Sequence, residues 1–328
     1  MNPDQIRRQS ESAYKQWCEQ WRKQAVENGK HEQHSFEDFR DSGFGKAALC
    51  VANGYSFEEN IETIKKHKDN VDIICCDKTM GHLLDNGITP KIVVVCDANV
   101  DYERYMHKYA DKLHNTYLFM NICGNPKWAD NGNWKKKFFF VNKDVLQSEE
   151  EFSKLSGCKN IIIAGTNVSN AMIILLTQCE NQQRNNFFGY DKIILIGFDY
   201  SWKLHGNYYA FDKDAAGKDK YMAQMFFYAD DGTPIYSSGN LFFSKKWIQE
   251  YIHTFHLPVV QCGKHSLLQI GTAKDLAYQM SYTGDRPKAK IIRALKDERE
   301  KLVKNLNNIN YTINDLSKRQ FTSFLKSI

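Results

Sequence analysis

The 328 residues, 42% of them hydrophobic and 13% aromatic, are enough for one large domain or two ordinary ones with a substantial core. Nineteen glycines, 6 prolines and 25% charged residues exclude collagenous, low-complexity and wholly disordered classes. The net charge of +5 belongs to the tail: Arg286 to Ile328 carries 11 basic residues against 4 acidic, leaving 33 against 35 for the rest, so a nucleic-acid partner is not expected.

In chain order, Ile6, Ala13, Tyr14, Trp17, Trp21 and Ala25 recur at helical spacing and predict one amphipathic helix over 3–28. A polar stretch, His31 to Lys46, follows and reads as a linker, so residues 1–46 form an N-terminal extension. From Ala47 the pattern changes to continuously apolar runs at 47–53, 71–77, 91–97, 117–121, 160–165 and 192–199, as strands buried on both faces require. Amphipathic pieces at 57–68, 78–86, 101–113 and 168–180 lie between them. This is a βαβ series. It predicts an α/β, Rossmann-like body over 47–284 with a largely parallel sheet and helices on both faces.

The rhythm lapses over Tyr200–Asn240, a stretch too long for a plain connection, which predicts a lid or small inserted subdomain at about 200–240. A helix over 244–255 and a short strand over 259–262 follow. In the basic tail, 285–328, Ile292, Leu295, Leu302, Leu306, Ile309, Ile313 and Leu316 make an a/d seam in which Arg299 is the polar member, and self-association through this helix is expected. No apolar run is long enough for a membrane span and the first residues are polar, so a cytoplasmic protein is expected. Nine cysteines, several inside strand-like runs and none in a CxxC pair, predict neither a disulfide framework nor a zinc site.

In open α/β sheets ligands bind beyond the carboxyl ends of the strands. Those ends are polar here: Asn53-Gly54, Asp77-Lys78-Thr79, Asp97, Asn121, Gly165-Thr166-Asn167 and Asp199. A single strand-end Asp often does no more than cap the following helix, but six polar ends on one edge predict a site. The turn Asn53-Gly54-Tyr55-Ser56 suits a strand-to-helix corner that offers N–H groups to a phosphate, with Ser56 as a donor or cap. Asp77 and Asp97 either hold Mg²⁺ together with substrate phosphates or hydrogen-bond substrate hydroxyls, and the sequence leaves both open. The lid aromatics, Tyr209 among them, suit stacking on a base or sugar or packing within the lid.

The segments ALCVANGYSFEENIETIKK, IICCDKTMGHLLDNGITPKIVVVCD, AGTNVSNAMIILL and KIILIGFDY resemble the motility-accessory-factor (Maf) and MptE-like family, and LIGFDYSWKLHGNYYAFD with LPVVQCGKHSLL resembles bacterial CMP-sialic-acid-dependent sialyltransferases. The likeness spans about 47–272. It implies that Asn53 and Gly54 form a nucleotide-binding turn and that Gly165, Thr166 and Asn167 form the loop touching a nucleotide sugar. Asp77 and Asp97 fall where MptE-like proteins carry aspartates and the sialyltransferases carry asparagines. Tyr209 matches one of two phosphate-contacting tyrosines, with Ser201 at the other position. No histidine stands near Ser237 or Ser238, where the sialyltransferase base would fall, which leaves His205, Asp77 and Asp97 as candidate bases.

Three functions follow from this resemblance as expectations. The first is a glycosyltransferase using a CMP- or UDP-linked sugar, with a glycan or protein acceptor and no tightly bound cofactor. The second is a Mg²⁺-dependent pterin diphosphokinase. The third is a catalytically silent nucleotide-sugar-binding scaffold.

Overall fold

The computed structural model describes residues 3–143, 148–163, 167–177, 187–203, 209–211, 224–229 and 231–282, together with Leu295, Glu298, Leu302 and Leu306 of the tail. The chain divides into two units, Met1–Thr283 and Gly284–Ile328. In the second, the four described residues are helical and the three leucines are 57–63% exposed; the remaining seam positions lie outside the described residues.

The first unit is built on strands β1 (Ala47–Val51), β2 (Asp72–Cys76), β3 (Ile92–Val95), β4 (Tyr117–Asn121), β5 (Lys136–Asn142), β6 (Ile161–Ile162) and β7 (Lys192–Ile196), then β8 (Trp202–Lys203), β9 (Gln224–Tyr228), β10 (Pro234–Ser238) and β11 (Val259–Gln261). Eight of them form one sheet in the order β11-β7-β1-β2-β3-β4-β5-β6, and every described pairing in it is parallel. The helices that matter below are α1 (Pro3–Asn28), α2 (Tyr55–Glu59), α3 (Ile61–His67), α4 (Asp77–Asp85), α5 (Tyr102–Tyr105), α6 (Lys127–Asn131), α7 (Glu149–Ser156) and α8 (Val168–Thr177).

Both faces of the sheet are covered, which is why its strands read as unbroken apolar runs. Along β1, Ala47, Leu49 and Val51 enter one core while Ala48 and Cys50 enter the other. The first core also holds Phe57, Met80, Trp128 and Phe152, and the second holds residues 171–176 of α8 with Phe187, Phe188 and Tyr190. At about 2 kcal/mol for each fully buried large aliphatic or aromatic side chain, the two cores supply the main drive for folding. The described cysteines are all unpaired thiols, and no described helix is long and apolar enough to cross a membrane.

The structure departs from the sequence expectations in six places. Strand β5 was not foreseen: its paired lysines open a KKFFFVN run whose phenylalanines are buried on both faces. The run expected at 160–165 pairs over two residues only. The helix expected over 57–68 is two, because Asn60 breaks the helical backbone between α2 and α3. The piece over 101–113 is the short α5 followed by a 3-10 turn, His107–Lys112. The helix expected from 244 starts five residues earlier, at Gly239, where the Ser238 side chain caps it by accepting the Leu241 N–H. The stretch between α1 and β1 is not a spacer: Phe36 and Phe39 are buried against Phe119 and Phe138.

Helix α1 is also packed in. Ala25 and Asn28 are fully buried, and Asn28 Nδ2 donates to Ile122 O and Gly124 O, both at 2.8 Å. Gln24 Nε2 donates to Ala98 O at 3.1 Å. Thus α1 braces the loops that leave β3 and β4. Within 200–240, strands β8, β10 and β9 form a separate antiparallel sheet, an inserted subdomain. Residues 204–208, 212–223 and 230 lie outside the described residues.

Candidate functional site

From β1 the chain lays down β2 to β6 to one side, then returns beneath the sheet, where α8 packs against β1, β2 and β3, and sets β7 on the other side of β1. The β1/β7 boundary is therefore a topological switch point, where diverging loops leave a crevice at the carboxyl edge. A cavity of about 450 Å³ opens there, within the usual range for small-molecule sites. Its described walls come from the ends of six parallel strands: Asn53 and Gly54 after β1, Asp77 and Lys78 after β2, Cys96 and Asp97 after β3, Asn121, Asn142, and Gly197 with Phe198 after β7. Asn167 and Ser169 at the start of α8 line it too, with Tyr200, Ser201, Tyr209 and Leu241 from the inserted region and its borders.

Six of the predicted residues, Asn53, Gly54, Asp77, Asp97, Asn167 and Tyr209, are brought together on this wall. Gly165, Thr166 and His205 lie outside the described residues. Asp199 and Ser56 are placed differently. Both are fully buried and engaged with one another: Asp199 Oδ2 accepts the Ser56 N–H at 2.8 Å, and Oδ1 accepts the Ser56 hydroxyl at 2.6 Å. Ser56 Oγ in turn accepts the Gly197 N–H at 2.9 Å. Gly54, which precedes α2, has no side chain to cap it, so the carboxylate of a strand 143 residues away does so. The place where the sequence suggested a phosphate is filled by the protein's own anion.

That arrangement explains two glycines. A Cβ on Gly54 would overlap Asp199 Oδ2, and one on Gly263 would lie 2.7 Å from Oδ1. Enclosure pushes the Asp199 carboxyl up to about 7, burial outweighing the opposing pull of the two Ser56 bonds and the weaker one of Lys203.

Asp77 and Asp97 end adjacent strands and face the same cavity in unlike settings. Asp77 is 2% exposed, and among the described residues its carboxylate accepts the N–H of Lys78 alone, at Oδ1 and 2.7 Å. Burial, with a smaller contribution from the Asp97 charge, pushes it up to about 6 despite the neighbouring Lys78. Asp97 stands exposed at the mouth, Oδ1 accepting the Asn99 N–H at 2.8 Å. A carboxyl poised near neutral pH inside a cavity is suited to taking a proton.

The remaining wall is rich in amides. Asn53 Oδ1 is buried at the cavity wall with no hydrogen-bond partner among the described residues. Asn167 Oδ1 accepts the Asn170 N–H at 2.9 Å and caps α8, fixing the amino end of that helix at the cavity. Asn121 Oδ1 accepts the Cys123 N–H at 3.1 Å. The rim is closed by residues 209–211, whose Ala210 N–H donates to Asn53 O at 3.0 Å and whose Phe211 N–H donates to the Glu58 carboxylate at 2.8 Å.

Asn142 carries no signal in the sequence because its strand does not, and Asn121 and Lys78 stand among the polar strand ends with no role of their own. Lys78 carries a signal that was legible: a cation in the first turn of a helix opposes the macrodipole, an unusual choice where nothing requires it. Among the described residues no cluster of three or more His, Cys, Asp and Glu is assembled for a metal. Asp77 and Asp97 do present two hard oxygen donors to one space, enough for a Mg²⁺ that draws its other ligands from substrate phosphates and water.

A family model described as 6-hydroxymethylpterin diphosphokinase MptE-like matches residues 23–204, more than half of the chain. Among solved structures, a Maf glycosyltransferase from Magnetospirillum magneticum AMB-1 superposes with a TM-score of 0.57 at 14% identity, over 78% of this chain and 38% of that one. The chain thus spans well under half the length of that relative, and the likeness establishes the fold. No curated protein matches.

Proposed function

From the premise that this chain belongs to the MptE-like family, we propose that it is a transferase acting on a nucleotide-linked donor in the switch-point cavity, and that the group it moves is a sugar. One observation carries the choice of a sugar: the wall offers Asn53, Asn121, Asn142, Asn167 and Ser169, groups that both donate and accept, as a polyhydroxylated ligand demands. The unpartnered Asn53 Oδ1 asks for one such hydroxyl or amine.

In this reading the acceptor, a glycan or a protein side chain, enters from the open side near Asp97. Its hydroxyl attacks the anomeric carbon while Asp77 takes the proton. The bond from that carbon to the donor's phosphate oxygen breaks, and the electron pair leaves with the nucleotide. N–H groups at the start of α8 face the departing charge. His205 remains an alternative base. Where the reaction uses Mg²⁺, Asp77 and Asp97 would hold it and it would neutralise phosphate charge, and the base would then be His205 in place of Asp77.

The second reading, transfer of diphosphate from ATP to a pterin alcohol, is favoured by the family's description and by the two carboxylates on adjacent strands. A thermal-shift panel of CMP-, UDP- and GDP-sugars and of ATP, each with and without Mg²⁺, separates them, because a ligand at a hundred times its Kd stabilises by about 2.7 kcal/mol. A shift with a nucleotide sugar, followed by release of free nucleotide on adding an acceptor, is expected. A shift with ATP and Mg²⁺ alone transfers the case to the diphosphokinase, and no shift with any of them transfers it to the silent scaffold. The exposed leucines of the tail favour assembly of copies through that helix: sedimentation should show an oligomer that truncation after Gly284 dissolves.

A further inference from the structure

We propose that Lys78 is an anion subsite of the cavity, the point that receives the phosphate oxygens of the donor. This rests on the nucleotide-donor reading above and adds where the phosphates sit. The described walls of the cavity hold two carboxylates, Asp77 and Asp97, and one cation, Lys78. A phosphorylated ligand entering a space lined by two carboxylates needs a positive counterpart, and among the described residues Lys78 alone supplies one.

Lys78 occupies the second position of α4, where the helix dipole disfavours a cation and where Asp, Glu or Ser would stabilise the fold better. What holds the ammonium there is aromatic. Nζ lies 4.7 Å from the centre of the Tyr209 ring and 5.9 Å from that of Tyr105. The side chain is half-buried beside these two rings.

Ring faces steady a cation without using up its N–H donors. Lys78 forms no ion pair with a carboxylate among the described residues, in contrast to Lys91 on Asp72 at 2.5 Å or Lys136 on Asp38 at 2.7 Å. The bland alternative, that Lys78 exists to neutralise Asp77, fits less well. Asp77 accepts the Lys78 backbone N–H at Oδ1, and no ion pair joins the Lys78 ammonium to its carboxylate among the described residues.

Tyr209 comes from a segment 131 residues beyond Lys78 and is pinned by the Ala210 N–H to Asn53 O, so the subsite is complete only when the rim 209–211 is docked.

The test uses the full chain in EDTA, so that no metal bridges a phosphate to the aspartates. Titration calorimetry measures inorganic diphosphate and, separately, the uncharged nucleosides cytidine and uridine, on the wild type, Lys78→Gln and Lys78→Arg. A charge-assisted contact of this kind is worth about 10- to 100-fold in affinity. The expected result is diphosphate binding weakened at least about tenfold in Lys78→Gln and held within a few-fold in Lys78→Arg, with nucleoside binding unchanged. Equal diphosphate affinity in wild type and Lys78→Gln, or no diphosphate binding by the wild type, overturns the subsite. So does an arginine variant as weak as the glutamine one, since it would show that shape and not charge is read. Lysine-dependent diphosphate binding without any nucleoside binding supports the subsite and removes the nucleotide reading. Nucleoside binding with lysine-independent diphosphate binding does the reverse. Should Lys78→Gln fail to fold, Tyr209→Ala is read in its place, with a several-fold loss of diphosphate affinity expected and an unchanged affinity overturning the proposal.

Discussion

Asp199 and Asp77 both stand just past a core strand of the same parallel sheet, both are buried and both are pushed upward by burial, yet they do opposite things. Asp199 is closed in by Gly54, Gly263 and Ser56 and hydrogen-bonded at both oxygens, so it organises the corner between β1 and β7. Asp77 has a single backbone donor among the described residues and lines a cavity. A strand-ending aspartate is thus a structural or a chemical residue according to whether the protein has already satisfied it, a distinction that lies in three dimensions.

The largest effect should come from Asp77→Asn. Loss of a positioned base costs about 10²- to 10⁴-fold in turnover, with the fold intact by circular dichroism; full turnover would move the base to Asp97 or His205. Next is Gly197→Ala, which places a Cβ on the Ala52 carbonyl at φ +75° and should destabilise by about 3 kcal/mol in urea melts. An unchanged melt would mean that the corner is more pliant than described. Asp199→Ala strands the Ser56 N–H and hydroxyl and should cost about 2–3 kcal/mol, whereas Asp199→Asn, which still accepts the N–H, should cost about 1 kcal/mol. Equal losses in the two variants would place the role of Asp199 in charge and not in capping.

The subtlest test is pH. The folded chain binds a proton at Asp77 and at Asp199 more tightly than the unfolded chain, whose carboxyls titrate near 3.8. The stability this contributes is full below that value and is lost as pH rises through about 6 for Asp77 and about 7 for Asp199. A tenfold difference in proton affinity between the folded and unfolded chains corresponds to roughly 1.4 kcal/mol, so each Asn variant should flatten the wild-type fall in stability between pH 4 and 7 by a few kcal/mol. Turnover, if Asp77 is the base, should rise through pH 6 in the wild type and in Asp199→Asn and stay flat in Asp77→Asn. Identical slopes in all three proteins would erase the electrostatic side of the comparison.

Much of this architecture was readable. The unbroken apolar runs announced a doubly covered parallel sheet, and the polar residues closing them announced the edge where the cavity lies. Strand β5 was hidden because Lys136 and Lys137 look like surface residues, although β4 pairs with both. The inserted sheet was hidden for the opposite reason: its strands sit among polar residues and are half solvated, with Phe226 and Tyr228 exposed, so neither period nor burial stands out. Phe36 and Phe39 are two apolar residues in a polar stretch, too few to signal a core. Which strand-end carboxylate would be consumed by Ser56 depends on a contact across 143 positions, and no local pattern reports it.

The crossover that sets β7 beside β1 also imposes a schedule on the chain as it is made. Ala47 pairs with Lys192, so the inner edge of β1 stays without its neighbour until some 145 further residues have been synthesised. At about 5–20 residues per second this is on the order of 10–30 s, during which an apolar strand offers unpaired N–H and carbonyl groups to any other chain. The contacts of the cavity rim arrive later still, with Ala210 reaching back to Asn53 and Leu241 following. A protein whose central seam closes this late should fold slowly, gain from a holding chaperone, and show no ligand binding in nascent fragments that stop short of the rim.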